Sequence, residues 1–273
     1  MIPDKFVVGI GAQRAGSTWL YNLLNSHPEI QLAYEKEIHH FNNLAFGAPN
    51  NLKLQKAKLD QLRRCPQENS KLIEWYSLLC ERTNTNDWYR SLFCDSNISY
   101  GKSVIYTGEV TPAYAILDEY YYRQLKDCFP QVKIIFILRN PVERIWSMAR
   151  VSCERGHEVL TETYLRNLVS DEGTKLRTQY DRTIRCLLST FSEENILLIF
   201  FEELFANSTL NRLSEFLSLD NKFSENIIDK VNSSKEIDCP DWFREIIVNE
   251  YQIMVHNIKK SIGYIPQPWM KYF

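Results

Sequence analysis

A short apolar segment followed at once by a glycine-bounded loop and a helix constrains the fold of this chain more than any other feature. Residues 6–10 (FVVGI) form an unbroken apolar run, which predicts a buried strand. Residues 17–25 place four large apolar side chains on one helical face, namely Trp19, Leu20, Leu23 and Leu24. A strand that is apolar on both faces and leads directly into a helix is typical of a parallel sheet covered by helices.

The same alternation continues along the chain. We predict further strands at about residues 30–34, 103–110, 132–138 and 196–201, and helices at about 50–82, 112–128, 141–153, 161–191, 203–217 and 241–260. Pro66 should divide the first of these helices, and a break should lie near Gly173. The pattern predicts an α/β protein with a P-loop-type three-layer fold, in which a central parallel sheet has helices on both faces. We expect one domain over residues 1–273, with a helical insert at about 48–86.

The charge balance and the lack of long apolar runs argue against several classes of protein. The 32 Lys and Arg residues nearly cancel the 34 Asp and Glu residues, so bulk charge does not drive binding to nucleic acid. The longest strictly apolar run, Ile196 to Phe201, is far shorter than the roughly 20 residues of a membrane-spanning helix. The N-terminus shows no signal-peptide pattern, and the seven cysteines form no CxxC pair. We therefore expect a cytoplasmic protein with no nucleic-acid or membrane partner, and the oligomeric state stays open.

The loop after the first strand has the spacing of a phosphate-binding loop. Gly11 and Gly16 are five residues apart and are followed by Ser17 and Thr18, as in the nucleotide P-loop G-x-x-x-x-G-K-[ST]. Backbone N–H groups of such a loop, together with the N-terminus of the next helix, bind anionic oxygens. Ser17, however, stands where a P-loop has its lysine, and Arg14 supplies a cation inside the loop instead. The pattern favours a phosphate site, with a plain strand-to-helix turn as the alternative.

A second candidate site follows the strand predicted at 132–138. Arg139 ends this strand, Asn140 is a good N-cap and Pro141 suits the first helical position, so a helix should begin just after Arg139. Ser147 lies nearly two turns further, on the same helical face as Asn140. Because ligands of open α/β sheets bind beyond the carboxyl ends of the strands, Arg139 and Ser147 could converge on one anion. On spacing alone, a surface arginine paired with a nearby acid explains the pattern equally well.

Taken together, these segments resemble the sulfotransferases that use 3′-phosphoadenosine 5′-phosphosulfate (PAPS). Residues 13–20 (QRAGSTWL) resemble the family's 5′-phosphosulfate loop, and residues 137–144 (ILRNPVER) with Ser147 resemble its 3′-phosphate motif. Other segments resemble the carbohydrate branch of the family, typified by heparan sulfate sulfotransferases and bacterial relatives; they are residues 35–41 (EKEIHHF), 87–93, 108–114 (GEVTPAY) and 196–204. The likeness extends from about residue 5 to residue 234.

The resemblance implies a PAPS-dependent sulfotransferase that releases 3′-phosphoadenosine 5′-phosphate (PAP) and needs no metal. It implies that Arg139 and Ser147 hold the 3′-phosphate. It further implies that Glu37 is the base for a hydroxyl or amino group of the acceptor, with His39 beside it and Arg14 as the cation at the departing phosphate. The acceptor would be a saccharide or another small molecule. The 5′-phosphate and sulfate would be held by Arg14, Ala15, Gly16, Ser17, Thr18 and Trp19.

Several departures from the family pattern limit what the resemblance implies. Arg14 stands where most members have lysine, Val110 where heparan 3-O-sulfotransferases have lysine, and Asn42 where they have aspartate. The glycine- and lysine-containing loop that usually closes on PAPS is not evident near the C-terminus, where only Lys235 lies nearby. A P-loop kinase that uses ATP and a catalytically silent nucleotide-binding protein are the alternative functions.

Two further features stay open at the level of the sequence. His40 is adjacent to His39, and either ring could simply be packed in the core. The predicted insert is basic, because residues 50–82 hold seven Lys and Arg (53, 56, 58, 63, 64, 71, 82) against four Asp and Glu (60, 68, 74, 81). This excess of positive charge suits a surface for an anionic acceptor, and it suits an ordinary solvated helical face at least as well.

Overall fold

A parallel sheet forms the centre of the computed structural model, which describes residues 5–47, 52–94, 104–220, 223 and 237–273. Within these residues the strands are β1 (Lys5–Gly11), β2 (Ile30–Leu32), β3 (Tyr106–Val110), β4 (Gln131–Leu138) and β5 (Ile196–Phe200). They lie in the spatial order β2-β3-β1-β4-β5, and every neighbouring pair is parallel.

Helices flank this sheet. In chain order they are α1 (Ser17–Asn25), α2 (His40–Phe46), α3 (Leu52–Leu62), α4 (Pro66–Cys80), α5 (Asn86–Ser91), α6 (Glu119–Cys128), α7 (Pro141–Glu154), α8 (Glu162–Ser170), α9 (Glu172–Leu176), α10 (Tyr180–Leu188), α11 (Asn207–Leu217), α12 (Asp241–Ile262) and α13 (Gln267–Met270). The predicted α/β fold with a central parallel sheet between helices is confirmed. In the part of the chain that the structure describes, no helix is long and apolar enough to cross a membrane.

The centre of the sheet is buried, whereas its β5 edge is partly exposed. β1 lies between β3 and β4, with Val8 opposite Glu109 on one side and Ile134 on the other. Every β4 side chain from Ile134 to Leu138 is 0% exposed, as expected for a strand covered on both faces. Residues 196–198 of β5 are only half-buried. The predicted strand is present here, and these residues are less buried than the central strands because β5 lies at the edge of the described sheet, beside β4.

Local capping divides the helix predicted at 112–128. A 3-10 turn occupies residues 112–116, and α6 begins separately at Glu119. The Asp118 side chain accepts hydrogen bonds from the amides of Tyr120 and Tyr121, which satisfies the first turn of α6. The single helix predicted here is therefore wrong, because Asp118 acts as an N-cap in the middle of the segment.

Capping also corrects two other predicted helices. The helical segment predicted over 161–191, with a break near Gly173, is α8, α9 and α10. The first break lies at Asp171, close to the predicted position, because the Asp171 side chain accepts a hydrogen bond from the Thr174 amide (2.7 Å) and begins α9. The second break, at residues 177–179, is not predicted from the sequence. The helix predicted from residue 203 begins at Asn207, because residues 201–203 form a 3-10 turn first.

The predicted insert contains α3 and α4, which pack against each other. Pro66 occupies the first position of α4, where its missing N–H costs no hydrogen bond. Trp75 anchors α4, because its ring is 0% exposed and its Nε1 donates to the Leu92 carbonyl (2.9 Å). Residues 48–51 lie outside the described residues. The limits of the insert and the single-domain organisation stay predictions.

The strand order creates a crevice between β1 and β4. From β1 the chain crosses through α1 towards β2 on one side of the sheet, and from β4 it continues through α7 towards β5 on the other side. Ligands of open α/β sheets bind beyond the carboxyl ends of two such adjacent strands. Gly11 ends β1 and Arg139 follows β4, so both predicted anion-binding segments begin at this point.

Candidate active site

The loop between β1 and α1 is fixed to the centre of the sheet. The Ala12 amide donates to the Ile137 carbonyl (2.7 Å), which attaches the start of the loop to β4. Gly16 has a φ of +83°, and a Cβ at this position would lie 2.6 Å from Leu204 Cδ2. A side chain is strained in this left-handed conformation, whereas glycine is not. The second glycine of the predicted phosphate loop is therefore required by its backbone conformation.

The N-terminus of α1 has the features of an anion-binding site. The amides of Ser17, Thr18 and Trp19 open the helix and have no acceptor within it. The helix has no side-chain cap and no acidic residue in its first turn. Its dipole places partial positive charge at these amides, and Arg14 in the same loop adds a full charge. The loop can therefore hold an anionic group such as a phosphate or a sulfate.

Two of the predicted loop residues have side chains in the core. Ala15 is 0% exposed and Trp19 is 3% exposed. The Trp19 ring packs edge-on against Phe205, with the ring centroids 5.7 Å apart. Ser17 is half-buried and Thr18 is exposed. The Ala15 amide donates to the Ala12 carbonyl (3.2 Å), so Ala15 has a structural place in the loop, whereas Trp19 offers an anion its helix amide and Ser17 and Thr18 also offer hydroxyl groups.

Three predicted cofactor residues meet at the crevice between β1 and β4. Arg14 Nε donates to Ser147 Oγ (3.2 Å), and Arg139 Nη1 donates to the Arg14 carbonyl (2.7 Å). These contacts join the loop after β1 to α7, two segments that the sequence presents as separate sites. Arg139 Nε is buried without a hydrogen-bond partner. This orphaned donor and the Ser147 hydroxyl suit the oxygens of a bound phosphate.

Arg139 and Arg14 bring two positive charges to the crevice, and the carboxylates of Glu143 and Glu202 lie near Arg139. Arg139 is only 16% exposed, and the Glu143 carboxylate lies 3.9 Å away, which is longer than a hydrogen bond. Burial lowers the pKa of Arg139, while the charge of Glu143 opposes this shift. Burial and the charge of Arg155 lower the pKa of Arg14. Both guanidinium groups nevertheless stay charged at any physiological pH.

The second predicted group lies at the carboxyl end of β3. The Glu37 amide donates to the Val110 carbonyl (3.2 Å), so the chain after β2 runs beside β3. His39 Nε2 lies 3.3 Å from Glu37 Oε2, and His39 Nδ1 lies 3.1 Å from Asn42 Oδ1. Glu37 and His39 have left-handed backbones, with φ of 66° and 60°. Such a conformation costs a non-glycine residue about 1–3 kcal/mol, so the surrounding contacts must hold both residues in place.

Two neighbouring cations bind the Glu37 carboxylate. Lys36 Nζ donates to Glu37 Oε1 (2.7 Å), and His39 contacts Oε2. Burial alone would raise the pKa of Glu37, but the His39 hydrogen bond and the nearby Lys36 outweigh it and lower the pKa to about 2. Burial alone would lower the pKa of His39, but hydrogen bonds with Glu37 and Asn42 raise it above its ordinary value. Below that raised pKa, the pair is a carboxylate beside an imidazolium.

The structure distinguishes the two adjacent histidines. His40 is 0% exposed and stacks on Tyr89, with the ring centroids 4.6 Å apart. Its Nε2 lies 3.1 Å from Asn86 Oδ1. Burial lowers the pKa of His40 to about 4, although the contact with Asn86 opposes this shift. His40 is therefore a neutral core residue near pH 7, and His39 is the histidine beside Glu37.

Three residues around Glu37 were not assigned a role from the sequence. Lys36 binds the carboxylate, Arg82 at the end of the insert donates to the Ile38 carbonyl, and Glu109 accepts from the Ile38 amide (3.4 Å). Lys36 and Glu109 fall inside the strings that resemble the carbohydrate branch, which was the only signal for them. Nothing in the sequence marks Arg82.

The donor set at the crevice suits an anion. It consists of guanidinium groups, hydroxyls and helix amides, and the guanidinium groups and amides are donors that bind anionic oxygens. Across residues 5–47, 52–94, 104–220, 223 and 237–273, no group of three or more His, Cys, Asp or Glu side chains could hold a metal ion.

Comparison with known proteins points to one family. The sequence model of the sulfotransferase family matches residues 6–225. A sulfotransferase from Alicyclobacillus acidocaldarius superposes with a TM-score of 0.69 at 19% identity, over 99% of both chains. The sulfotransferase domain of the Synechococcus PCC 7002 olefin synthase superposes with a TM-score of 0.59 at 17% identity, over 97% of this chain and 96% of that one. At these identities, the two superpositions show a shared fold. No curated protein matches the sequence.

The Glu37–His39 pair should make stability depend on pH. The raised His39 pKa stabilises the fold below about pH 6.5, and this contribution is lost as pH rises through the folded value. The lowered Glu37 pKa stabilises it above about pH 4.5, and this contribution is lost as pH falls towards about 2. Urea unfolding should therefore show a larger loss of unfolding free energy in Glu37→Gln at about pH 5.5 than at about pH 9.

Lys36→Met is the matched control for this measurement. It removes the other partner of Glu37, and a lysine keeps its charge across this pH range. The stability lost in Lys36→Met should therefore be similar at both pH values. An equal loss at both pH values in Glu37→Gln would show that the ion pair with His39 does not form.

Proposed function

The chain belongs to the sulfotransferase family, and from that premise we propose that it transfers a sulfuryl group from PAPS to a hydroxyl or amino group of an acceptor. The observation that carries the proposal is the meeting of Arg14, Arg139 and Ser147 between β1 and β4. PAPS has phosphate groups at both its 5′ and its 3′ positions. A helix N-terminus and a nearby arginine with a hydroxyl are suitable partners for two such groups.

Each residue at the crevice has a distinct part in this proposal. Arg139 and Ser147 would hold the 3′-phosphate, while the α1 amides with Ser17 and Thr18 would hold the 5′ end. When bound, PAPS would supply the sulfuryl group, and PAP would leave through its 5′-phosphate. Arg14 stabilises the negative charge that develops on that phosphate, and it donates no proton because a guanidinium stays charged.

Glu37 is the proposed base for the acceptor. Its carboxylate is ionised at physiological pH, and His39 and Lys36 fix its orientation. With a pKa of about 2 it is a weak base in this arrangement. His39 is the second candidate, because its raised pKa lies nearer to the working pH, where general bases are most effective.

Calorimetry tests the cofactor assignment. We expect PAP and PAPS to bind more tightly than ATP with magnesium. Arg139→Ala should weaken PAP binding by tens-fold, because charge-assisted hydrogen bonds contribute about 1.5–3 kcal/mol each. Its affinity for adenosine 5′-phosphate should barely change, because that ligand lacks the 3′-phosphate.

The assignment of Arg139 and of PAPS has a control variant and results that would contradict it. Arg166→Ala removes an exposed arginine on α8 and should leave both affinities unchanged. Equal losses for PAP and adenosine 5′-phosphate in Arg139→Ala would contradict the assignment of Arg139. Preferred binding of ATP with magnesium would favour the kinase alternative, and binding of PAPS without turnover would favour a silent nucleotide-binding protein.

Substitution of Glu37 tests the base. Glu37→Gln should lower turnover by about 10²–10⁴-fold, the usual contribution of a general base, and leave PAP affinity nearly unchanged. Turnover is measured as transfer of labelled sulfate from PAPS to a panel of alcohols, amines and saccharides. Wild-type turnover in Glu37→Gln together with its loss in His39→Gln would assign the role to His39. In that case the wild-type rate should fall as pH drops through the His39 pKa.

The contacts of the insert support a place beside the acceptor. Gln55 Nε2 of α3 donates to Glu35 Oε1 (3.2 Å), and Arg82 after α4 donates to the Ile38 carbonyl. Glu35 and Ile38 belong to the same loop as Glu37. The insert therefore contacts the loop of the proposed base, and the net positive charge of residues 50–82 favours an anionic acceptor such as an acidic saccharide.

Charge reversal tests this role of the insert. Lys56, Arg63 and Arg64 are exposed, and their joint replacement by Glu should raise the acceptor KM while PAPS affinity stays unchanged. Joint reversal of Lys259, Lys260 and Arg166, which are exposed and lie outside the insert, controls for the same change in total charge. An unchanged acceptor KM, or a loss of PAPS affinity, would show that the insert serves another purpose.

A further inference from the structure

We propose that Glu109, acting through Tyr114, is the positioning residue that holds Glu37 and His39 in their working geometry. The inference rests on the proposed function of that pair. Glu109 lies near the carboxyl end of β3, directly before Val110, and is 0% exposed. Burial of a carboxylate within a sheet costs free energy unless a full set of hydrogen-bond partners compensates for the lost water.

The Glu109 carboxylate has such a set of partners. It accepts hydrogen bonds from the Tyr89 hydroxyl, from Thr111 Oγ1 (2.5 Å), from the Tyr114 hydroxyl (2.9 Å) and from the Ile38 amide (3.4 Å). An ionised carboxylate offers about four acceptor sites, so all of them are used. Tyr89 lies in α5, Thr111 directly follows β3, and Tyr114 lies in the 3-10 turn after it. The fourth donor is the Ile38 amide, which lies between Glu37 and His39 in the site loop.

Three hydrogen bonds from this part of the protein hold the site loop, that is, the loop that contains Glu37 and His39. The Glu37 amide donates to the Val110 carbonyl (3.2 Å), the Ile38 amide donates to Glu109, and the His40 amide donates to the Tyr114 hydroxyl (3.1 Å). Glu37 is itself one of the anchored residues, His39 lies between the other two, and both have left-handed backbones. Strained conformations persist only where the surrounding structure over-determines them. Glu109 and Tyr114 contribute to this here, together with Arg82, which donates to the Ile38 carbonyl.

The charge of Glu109 acts on the site as well as its hydrogen bonds. Burial raises the pKa of Glu109, while hydrogen bonds from Thr111, Tyr89 and Tyr114 oppose this shift. Burial lowers the pKa of His39, whereas hydrogen bonds to Glu37 and Asn42, the charge of Glu37 and, as the smallest of these influences, the charge of Glu109 raise it. A positioning role therefore has two measurable components, the backbone anchors and the charge near His39.

Three variants separate these components. Glu109→Gln keeps the shape and an oxygen for the Ile38 amide but removes the charge, whereas Glu109→Ala removes both. Tyr114→Phe keeps the ring and removes only the hydroxyl that links Glu109 to the His40 amide. Thr107→Val is the matched control, because Thr107 is equally buried on β3 and its hydroxyl donates to the Gln31 carbonyl (3.0 Å), away from the site loop.

The readouts are the NMR titration of His39, PAP affinity by calorimetry and turnover with labelled PAPS. Glu109→Gln should lower the pKa of His39 and leave PAP affinity unchanged. Tyr114→Phe should lower kcat on the order of 10- to 100-fold, because small misplacements of a reacting group have effects of this size. Glu109→Ala should combine both effects, and Thr107→Val should show neither.

An unchanged His39 titration in Glu109→Gln together with an unchanged kcat in Tyr114→Phe would overturn the proposal. Equal effects in Thr107→Val would also overturn it, because they would reflect general destabilisation of β3. If Glu109→Ala does not fold, the other two variants decide. The His39 titration needs no acceptor, so it separates this proposal from the proposed function, whose own failure would appear as wild-type protein that transfers no sulfate.

Discussion

Burial of β1 between β3 and β4 is the constraint on which the whole site depends. Because the three strands are parallel, their carboxyl ends lie at one edge of the sheet, where each contributes a different part. β1 leads into the anion-binding loop, β4 leads to Arg139, and β3 ends at Glu109 and Val110. The register places Val8 opposite both Glu109 and Ile134. A slip of one residue would turn Glu109 to the other face of the sheet and release the loop that it anchors.

The two halves of the site differ in how their charges are paired. At Arg139, Glu143 and Glu202 offset part of the positive charge, but Nε is buried without a hydrogen-bond partner, which suits a ligand that brings its own negative charge. Around Glu37, the charges are already paired within the protein, by Lys36 on one oxygen and His39 on the other. An anionic cofactor and a proton-bearing acceptor make these different demands. The arrangement thus agrees with a donor that binds by charge and an acceptor that is handled by a positioned carboxylate.

The sequence predicts those features that depend on local pattern. The apolar period identifies the strands, and Asn140 caps α7 as expected, its side chain accepting from the Val142 amide (3.0 Å). The contact between Arg14 and Ser147, which are 133 positions apart, depends on the order of strands in the sheet, which no local pattern encodes. His39 and His40 are equivalent in the sequence, and only packing against Tyr89 distinguishes them. Lys235, the one candidate for a closing loop, lies outside the described residues.

Arginine at position 14 shows how one departure from a motif can have a structural purpose. A lysine has a compact ammonium group and would serve one anion at a time, whereas a guanidinium presents several donors in a fixed plane. Arg14 already uses Nε on Ser147 (3.2 Å) while its carbonyl accepts from Arg139 (2.7 Å). The remaining donors of the Arg14 side chain are its two terminal nitrogens. The residue that departs from the family's usual lysine is therefore the one that connects the 5′ and 3′ halves of the proposed cofactor site.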